Sequence, residues 1–137
     1  RKIFVLVGDG EMQEGQIWEA LLFASHHKLN NLYLFFDKNN IQDFDFVDNI
    51  ISLGQLSSKI KSFGFDVNTC KKGNNLKHIN KSFIFKNSKK PKCIIFETVK
   101  GYGIKKIENK PEWSKSNSLN SKEYEIFKNE IKKKNFS

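Results

Sequence analysis

Long apolar runs are missing from this sequence. A membrane-spanning helix needs about 18 or more consecutive apolar residues, and the apolar runs here are only strand-length. No signal peptide is visible. Cysteine is scarce: Cys70 and Cys93 are the two in 137 residues, and they lack CxxC spacing. That excludes a disulfide framework and suits reduced, semi-buried cysteines of a cytoplasmic protein. Acidic residues are outnumbered, 15 Asp+Glu against 24 Lys+Arg, for a net charge of +9. A basic balance raises nucleic acid as a partner. The lysines, however, are spread among Asn, Ile, Phe and Ser, and no basic-aromatic or zinc-finger pattern accompanies them. The expectation is therefore no nucleic acid and no membrane. Internal repeats are absent as well.

What is present suits one domain, long enough to bury roughly two-thirds of the unfolded chain's surface. The chain starts at Arg1, and its first residues already read as a strand. The expectation is a fragment lacking its N-terminal part.

Ile3 to Val7 is a short β-branched apolar run bounded by glycine, the pattern of a central parallel strand buried on both faces. A helical pattern runs from about Glu14 to Lys28, with Ile17, Leu21 and Ala24 at helical steps. Glu11 and Glu14 near its start, and His26, His27 and Lys28 near its end, suit the helix dipole. Leu32 to Phe36 reads as a second buried strand. Asp43 to Asp48 reads as a loop, although its alternating acids and aromatics mimic a strand. Leu53 to Phe63 reads as a helix ended by Gly64, and Phe65 to Thr69 as a third strand. A turn at Gly73-Asn74-Asn75 leads to a helix over Leu76 to Lys86, with Leu76, Ile79, Phe83 and Ile84 inward. After a basic turn, Lys89 to Lys92, comes a fourth strand from Cys93 to Thr98. Glu108 to Trp113 is irregular. The spacing of Tyr124, Phe127 and Ile131 predicts a last helix from Ser121 to about Lys133, with Ser121 as its cap. The run Lys132-Lys133-Lys134 is a solvated end.

The chemistry concentrates between Gly8 and Gln42. One apolar run ends in Gly8-Asp9-Gly10, a helix follows, and the next run ends in Asp37-Lys38-Asn39-Asn40. Strand, helix and strand in about 35 residues is one βαβ crossover, which puts both strand ends on the same edge. Open α/β sheets bind ligands at that edge. Asp9 offers a carboxylate oxygen and Asn39 an amide oxygen. Mg²⁺ takes hard oxygens from a few side chains, phosphate and water, so the expectation is a Mg²⁺-diphosphate site. Glycines beside Asp9 allow backbone to approach a ligand closely.

The fuller string Gly8-Asp9-Gly10-Glu11-Met12-Gln13-Glu14-Gly15-Gln16-Ile17-Trp18-Glu19-Ala20, with Asn39 30 positions after Asp9, resembles the thiamine diphosphate-binding domain of transketolase. It resembles in particular the form in which that domain is a separate N-terminal subunit. Thr98 to Gly103 and Glu108 to Trp113 extend the resemblance over nearly the whole chain. It implies an α/β, three-layer αβα fold with a mostly parallel central sheet. Residues 1–113 would form a partial diphosphate- and Mg²⁺-binding domain, and 114–137 a helical extension or the start of a linker. Asp9 and Asn39 would ligate the metal by side chain and Ile41 through its carbonyl, with Ca²⁺ or Mn²⁺ able to replace Mg²⁺. Gly8, Gly10, Glu11 and Lys100 would join them around thiamine diphosphate. Glu14 matches a family glutamate near the subunit interface, a candidate for a proton relay; helix N-terminal charge alone would also account for it.

The implied activity is transfer of a two-carbon ketol unit between sugar phosphates, a ketose and an aldose, in the cytoplasm. The glutamate that activates the cofactor belongs in this family to a different domain. The resemblance thus implies a partner, a C-terminal subunit or domain, in a dimer or heterotetramer, and an inactive isolated chain. Ser114 follows Trp113 where the family usually has a histidine, so that role is relocated or the substrate differs; serine is no cationic donor at neutral pH. His26, His27 and His78 read as surface residues. Rival readings are a 2-oxoacid dehydrogenase α-type subunit, which shares the Gly-Asp-Gly and Asn-Asn motif, and a non-catalytic cofactor-binding paralogue.

Overall fold

The computed structural model describes residues 1–86, 88–114 and 118–133. Four strands form a parallel sheet: β1 (Ile3–Gly8), β2 (Leu32–Lys38), β5 (Asp66–Cys70) and β6 (Lys92–Glu97), in the order β1-β2-β6-β5. Helix α1 (Gly15–His26) links β1 to β2, and α3 (Leu56–Ser62) precedes β5. Helix α4 (Leu76–Ser82) lies between β5 and β6, and α5 (Ser121–Lys133) closes the described chain.

Strand alternation divides the apolar residues between two faces. On one face Val7, Leu34, Phe36, Cys93 and Ile95 meet Leu21 and Ala24 of α1, Leu56 and Ile60 of α3, and Phe65. On the other, Phe35 packs against Phe96 and against Phe83 at the end of α4, and Tyr33 against Phe85. Helix, sheet and helix make three layers, as expected. The central strands β2 and β6 are the best covered. β1 is an edge strand rather than the expected central strand buried on both faces: it pairs with β2 alone among the described strands, and its Phe4 and Leu6 are 55% and 66% exposed.

Several elements differ from the sequence reading. α3 starts at Leu56 rather than Leu53, because Gly54 takes a left-handed φ of 54° just before it. α4 stops at Ser82: Asn68 Nδ2 donates to the carbonyls of Ser82 and Ile84 and draws residues 83–86 out of the helix. The helical count therefore fails past that point, and Ile84 is 77% exposed rather than inward; Leu76, in the first turn of α4, is also exposed, at 56%, and Phe83 is 39% exposed although its ring packs on Phe35. The expected loop at 43–48 holds a small hairpin, β3 (Ile41–Gln42) with β4 (Asp45–Phe46), and a single helical turn, α2 (Val47–Ile50). Pro111–Trp113 forms a 3₁₀ turn inside the stretch expected to be irregular. Asn120, not Ser121, caps α5. Its Oδ1 accepts from the Glu123 amide at 2.9 Å, and Glu123 Oε2 accepts from the Asn120 amide at 3.3 Å; this is a reciprocal capping box. Of the terminal lysine run, Lys134 lies outside the described residues.

Candidate metal and diphosphate site

The sheet register builds the site. Gly8 pairs with Asp37, and Lys38 with Glu97, so the ends of β1, β2 and β6 lie at one edge. Asp9 follows β1 and is 3% exposed. Its Oδ2 accepts from the backbone amides of Asn39 at 2.9 Å and Asn40 at 2.7 Å. Two bonds on one oxygen leave Oδ1 outside both. Burial raises the Asp9 pKa above its ordinary 3.8, aided by the Asp37 charge; the Asn40 and Asn39 amides and Lys38 pull the other way without prevailing. Desolvation disfavours the charged carboxylate here, and a cation at Oδ1 would reverse that.

The β2 end is shaped to meet Asp9. Asn40 has a left-handed φ of 62°, a conformation asparagine tolerates better than most residues. Asn39 Oδ1 accepts from the Ile41 amide at 3.0 Å, and Nδ2 donates to Asp37 Oδ2 at 3.2 Å. The Thr98 hydroxyl donates to Asp37 Oδ1. Asp37 is thus the brace that ties β2 to the end of β6.

The donor set can be tested against a metal. No cluster of three or more His, Cys, Asp or Glu that could hold one exists among the described residues. Asp9 instead comes with an amide oxygen, Asn39 Oδ1, and the Ile41 backbone. One carboxylate with neutral oxygens is a poor Zn²⁺ site and a good fit for Mg²⁺ or Ca²⁺ completed by phosphate and water.

The remaining expected residues separate. Gly8 donates its amide to Glu11 Oε2 at 2.8 Å, so the Glu11 carboxylate is engaged in closing its own turn. Gly10 has an ordinary helical φ of −66°. Space is tight there: a Cβ would sit 3.1 Å from Gln42 Cδ and 3.2 Å from its Nε2. Ile41 buries its side chain at 3% exposure. Glu14 is exposed at the N-cap of α1 and makes no side-chain capping bond. Lys100 is half-buried on the loop leaving β6, where its carbonyl accepts from Asn109 at 2.9 Å. That loop turns at Gly101, whose φ is +75° and whose Cβ would lie 2.7 Å from the Ile107 carbonyl oxygen. Asn74 Oδ1 accepts from the Val99 amide at 2.8 Å, fastening the 73–75 turn to the same edge.

Asp37, Thr98 and Gln42 belong to this corner and were not singled out from sequence. The Asp-x-Asn-Asn spacing named the first without giving it a role. Two buried polar atoms there and nearby have no hydrogen-bond partner among the described residues: Gln42 Oε1 and Ser114 Oγ.

A family model described as transketolase, thiamine diphosphate binding domain, matches residues 1–134. The chain is 41% identical over 114 residues to an apulose-4-phosphate transketolase subunit from Actinobacillus succinogenes, covering 82% of this chain and 41% of that protein. It is 35% identical over 109 residues to a 6-deoxy-6-sulfo-D-fructose transketolase subunit from a Clostridium species, covering 79% of this chain and 40% of that one. The crystal structure of a Campylobacter jejuni transketolase superposes with a TM-score of 0.85 at 30% identity, over 100% of this chain and 22% of that one. The chain spans about two-fifths of the length of the curated subunits it matches. No helix among the described residues is long and apolar enough to cross a membrane.

Proposed function

The chain belongs to the thiamine diphosphate-binding domain family of transketolase, and on that premise we propose that its Asp9–Asn39 corner holds Mg²⁺ and the cofactor's diphosphate for two-carbon ketol transfer between a ketose and an aldose. Asp9 and Asn39 serve as side-chain ligands and Ile41 as a carbonyl ligand; Ca²⁺ or Mn²⁺ can stand in. Gly8, Gly10, Glu11 and Lys100 line the approach of the diphosphate. When bound, thiamine diphosphate supplies the electron sink for carbon–carbon cleavage. This chain's own part is to bind, orient and neutralise. Asp37 fixes the Asn39 side chain, Asn39 and Asn40 fix Asp9, and the buried carboxylate meets its counter-charge in the metal.

The observation that carries this reading is Asp9: a buried carboxylate, uneasy in its charged form, with one oxygen held by two backbone amides. Relatives named as transketolase subunits support a partner subunit for this chain. Exposed Glu14 beside the site is the residue offered to that partner, in a dimer or heterotetramer. Residues 1–113 act as the binding unit and 114–137 as a helical extension or the start of a linker. The substrates are sugar phosphates of the cytoplasm, and Ser114 adapts the site to a sugar other than that of histidine-bearing transketolases.

The test is calorimetric titration of thiamine diphosphate into the full-length protein with its partner, with and without Mg²⁺. Saturable binding that needs the metal is expected; binding indifferent to Mg²⁺ overturns the assignment. The isolated chain should transfer no ketol unit from ketose phosphates.

A further inference from the structure

Gln42 is the polar residue of the corner that the hydrogen bonds leave unaccounted for. It sits on β3, one residue beyond Ile41, and pairs with Asp45 across the hairpin. Its side chain lies along Gly10, with Cδ, Cγ and Nε2 all 3.1–3.2 Å from where a Cβ would stand. A side chain at position 10 would press on the Gln42 amide, which would have to shift by a few tenths of an ångström. The oxygen of that amide, Oε1, is buried and has no partner among the described residues. A buried acceptor without a donor is destabilising. It persists in folded proteins when the missing partner arrives with a ligand or a water.

We propose that Gln42 is a cofactor-positioning residue, whose side-chain oxygen, set against Gly10, accepts a hydrogen bond from a water that Mg²⁺ brings into the Asp9–Asn39 corner. The proposal rests on the metal and diphosphate reading above. The chemistry selects the donor. A diphosphate offers only acceptors and cannot satisfy Oε1. Mg²⁺ keeps several of its waters when bound, and a cation makes its waters stronger donors. Asp9, Asn39 and Ile41 supply ligands to the ion, and Gln42 reads the shell outside them. Partners of this outer kind orient a metal site without touching the metal.

The two ends of an amide differ in what they tolerate, and that makes the role testable. Gln42→Leu removes the acceptor and keeps the bulk over Gly10. Gln42→Glu keeps an acceptor and removes the donor. In the full-length protein with its partner, Gln42→Leu is expected to weaken Mg²⁺-dependent thiamine diphosphate binding by about tenfold, the loss of one bond to a charged group. Without cofactor the same variant should melt no lower than the wild type, because an unsatisfied buried oxygen has been removed. Gln42→Glu should bind at least as tightly as the wild type.

Equal affinity of Gln42→Leu and wild type overturns the inference. So does a lowered melting temperature with unchanged affinity, which marks a purely structural residue. Gln42→Glu binding more weakly than Gln42→Leu overturns the acceptor role, because it means the amide donates to the diphosphate. Failure of the wild type itself to bind in Mg²⁺ removes the cofactor reading, and this inference with it. The four results are distinguishable in one set of titrations and melts.

Discussion

Asp9 and Glu123 are both carboxylates held by backbone amides, and they respond in opposite directions. Asp9 accepts two amide bonds at the end of β1, yet its pKa is raised, because burial outweighs them. Glu123 sits on α5 at the surface. The Lys106 ammonium bonds it at 2.5 Å, the Asn120 amide caps it, and its pKa is lowered. Lys106 also lies over the Trp113 and Phe127 rings, which face each other edge-on. The α5 clamp is thus complete within the chain. The Asp9 corner is held by its own hydrogen bonds and still short of positive charge. A carboxylate that geometry holds firmly while solvation disfavours it is one arranged for something that arrives later. That contrast separates a binding site from a structural contact more clearly than the number of hydrogen bonds does.

The sharpest way to break the contrast is at Asp9. Asp9→Ala should abolish Mg²⁺-dependent cofactor binding in an intact protein, a loss of at least about 100-fold for a ligand of the metal. Unchanged affinity by calorimetry would sink the metal assignment. Asp9→Asn keeps an acceptor for the two amides and removes the charge, so it should lose binding while melting no lower than the metal-free wild type at neutral pH. Next in size is the other region. Phe127 is the buried residue of α5, and Phe127→Ala should destabilise by about 3 kcal/mol in urea unfolding. Cofactor affinity, once folded protein is compared with folded protein, should move little.

The pH response follows from the Asp9 shift. Its folded pKa lies above the unfolded value of 3.8. The folded state therefore holds the proton more tightly, and stability without metal falls as pH rises from below 3.8 through the raised value. Mg²⁺ needs the deprotonated carboxylate, so its stabilising effect grows over the same window. Thermal unfolding with and without Mg²⁺ across about pH 3 to 7 should show the two curves diverging upward in pH; parallel curves would refute the linkage. The smallest effect belongs to Glu123→Gln. Its ion pair is solvent-exposed and screened, and any loss of stability should vanish in molar salt.

Much of this was legible in advance, for identifiable reasons. Ile3 to Val7 and Leu32 to Phe36 are continuous apolar runs, and both form parallel strands; Leu32 to Phe36 is central as its pattern predicts, whereas Ile3 to Val7 lies at the sheet edge with Ile3 to Leu6 exposed, which pattern alone does not distinguish. A crossover between them forces Asp9 and Asn39 together, and the structure places them in hydrogen-bond contact. α5 was legible from its spacing, but not its cap, because Asn120 and Ser121 are both good caps and only the chain path decides between them. Residues 83–86 were misread because Asn68, a strand residue far off in sequence, captures their carbonyls. Gln42 could not be singled out for a similar reason: its meaning depends on lying over Gly10, a contact that the β3–β4 hairpin creates. Local pattern determines elements, whereas contacts between a side chain and a distant backbone determine how they end and what they carry.

The corner hangs from the ladder between β1 and β2, whose last registered pair is Gly8 and Asp37. Beyond that pair the cross-links continue through the Asp9 carboxylate to the amides of Asn39 and Asn40. A side chain prolongs the sheet past the point where backbone pairing stops. Occupancy of that carboxylate is therefore written into proton exchange at two amides. When a cation loads Asp9, hydrogen–deuterium exchange at Asn39 and Asn40 should slow, while the amides of β5, at the far side of the sheet, keep their rates.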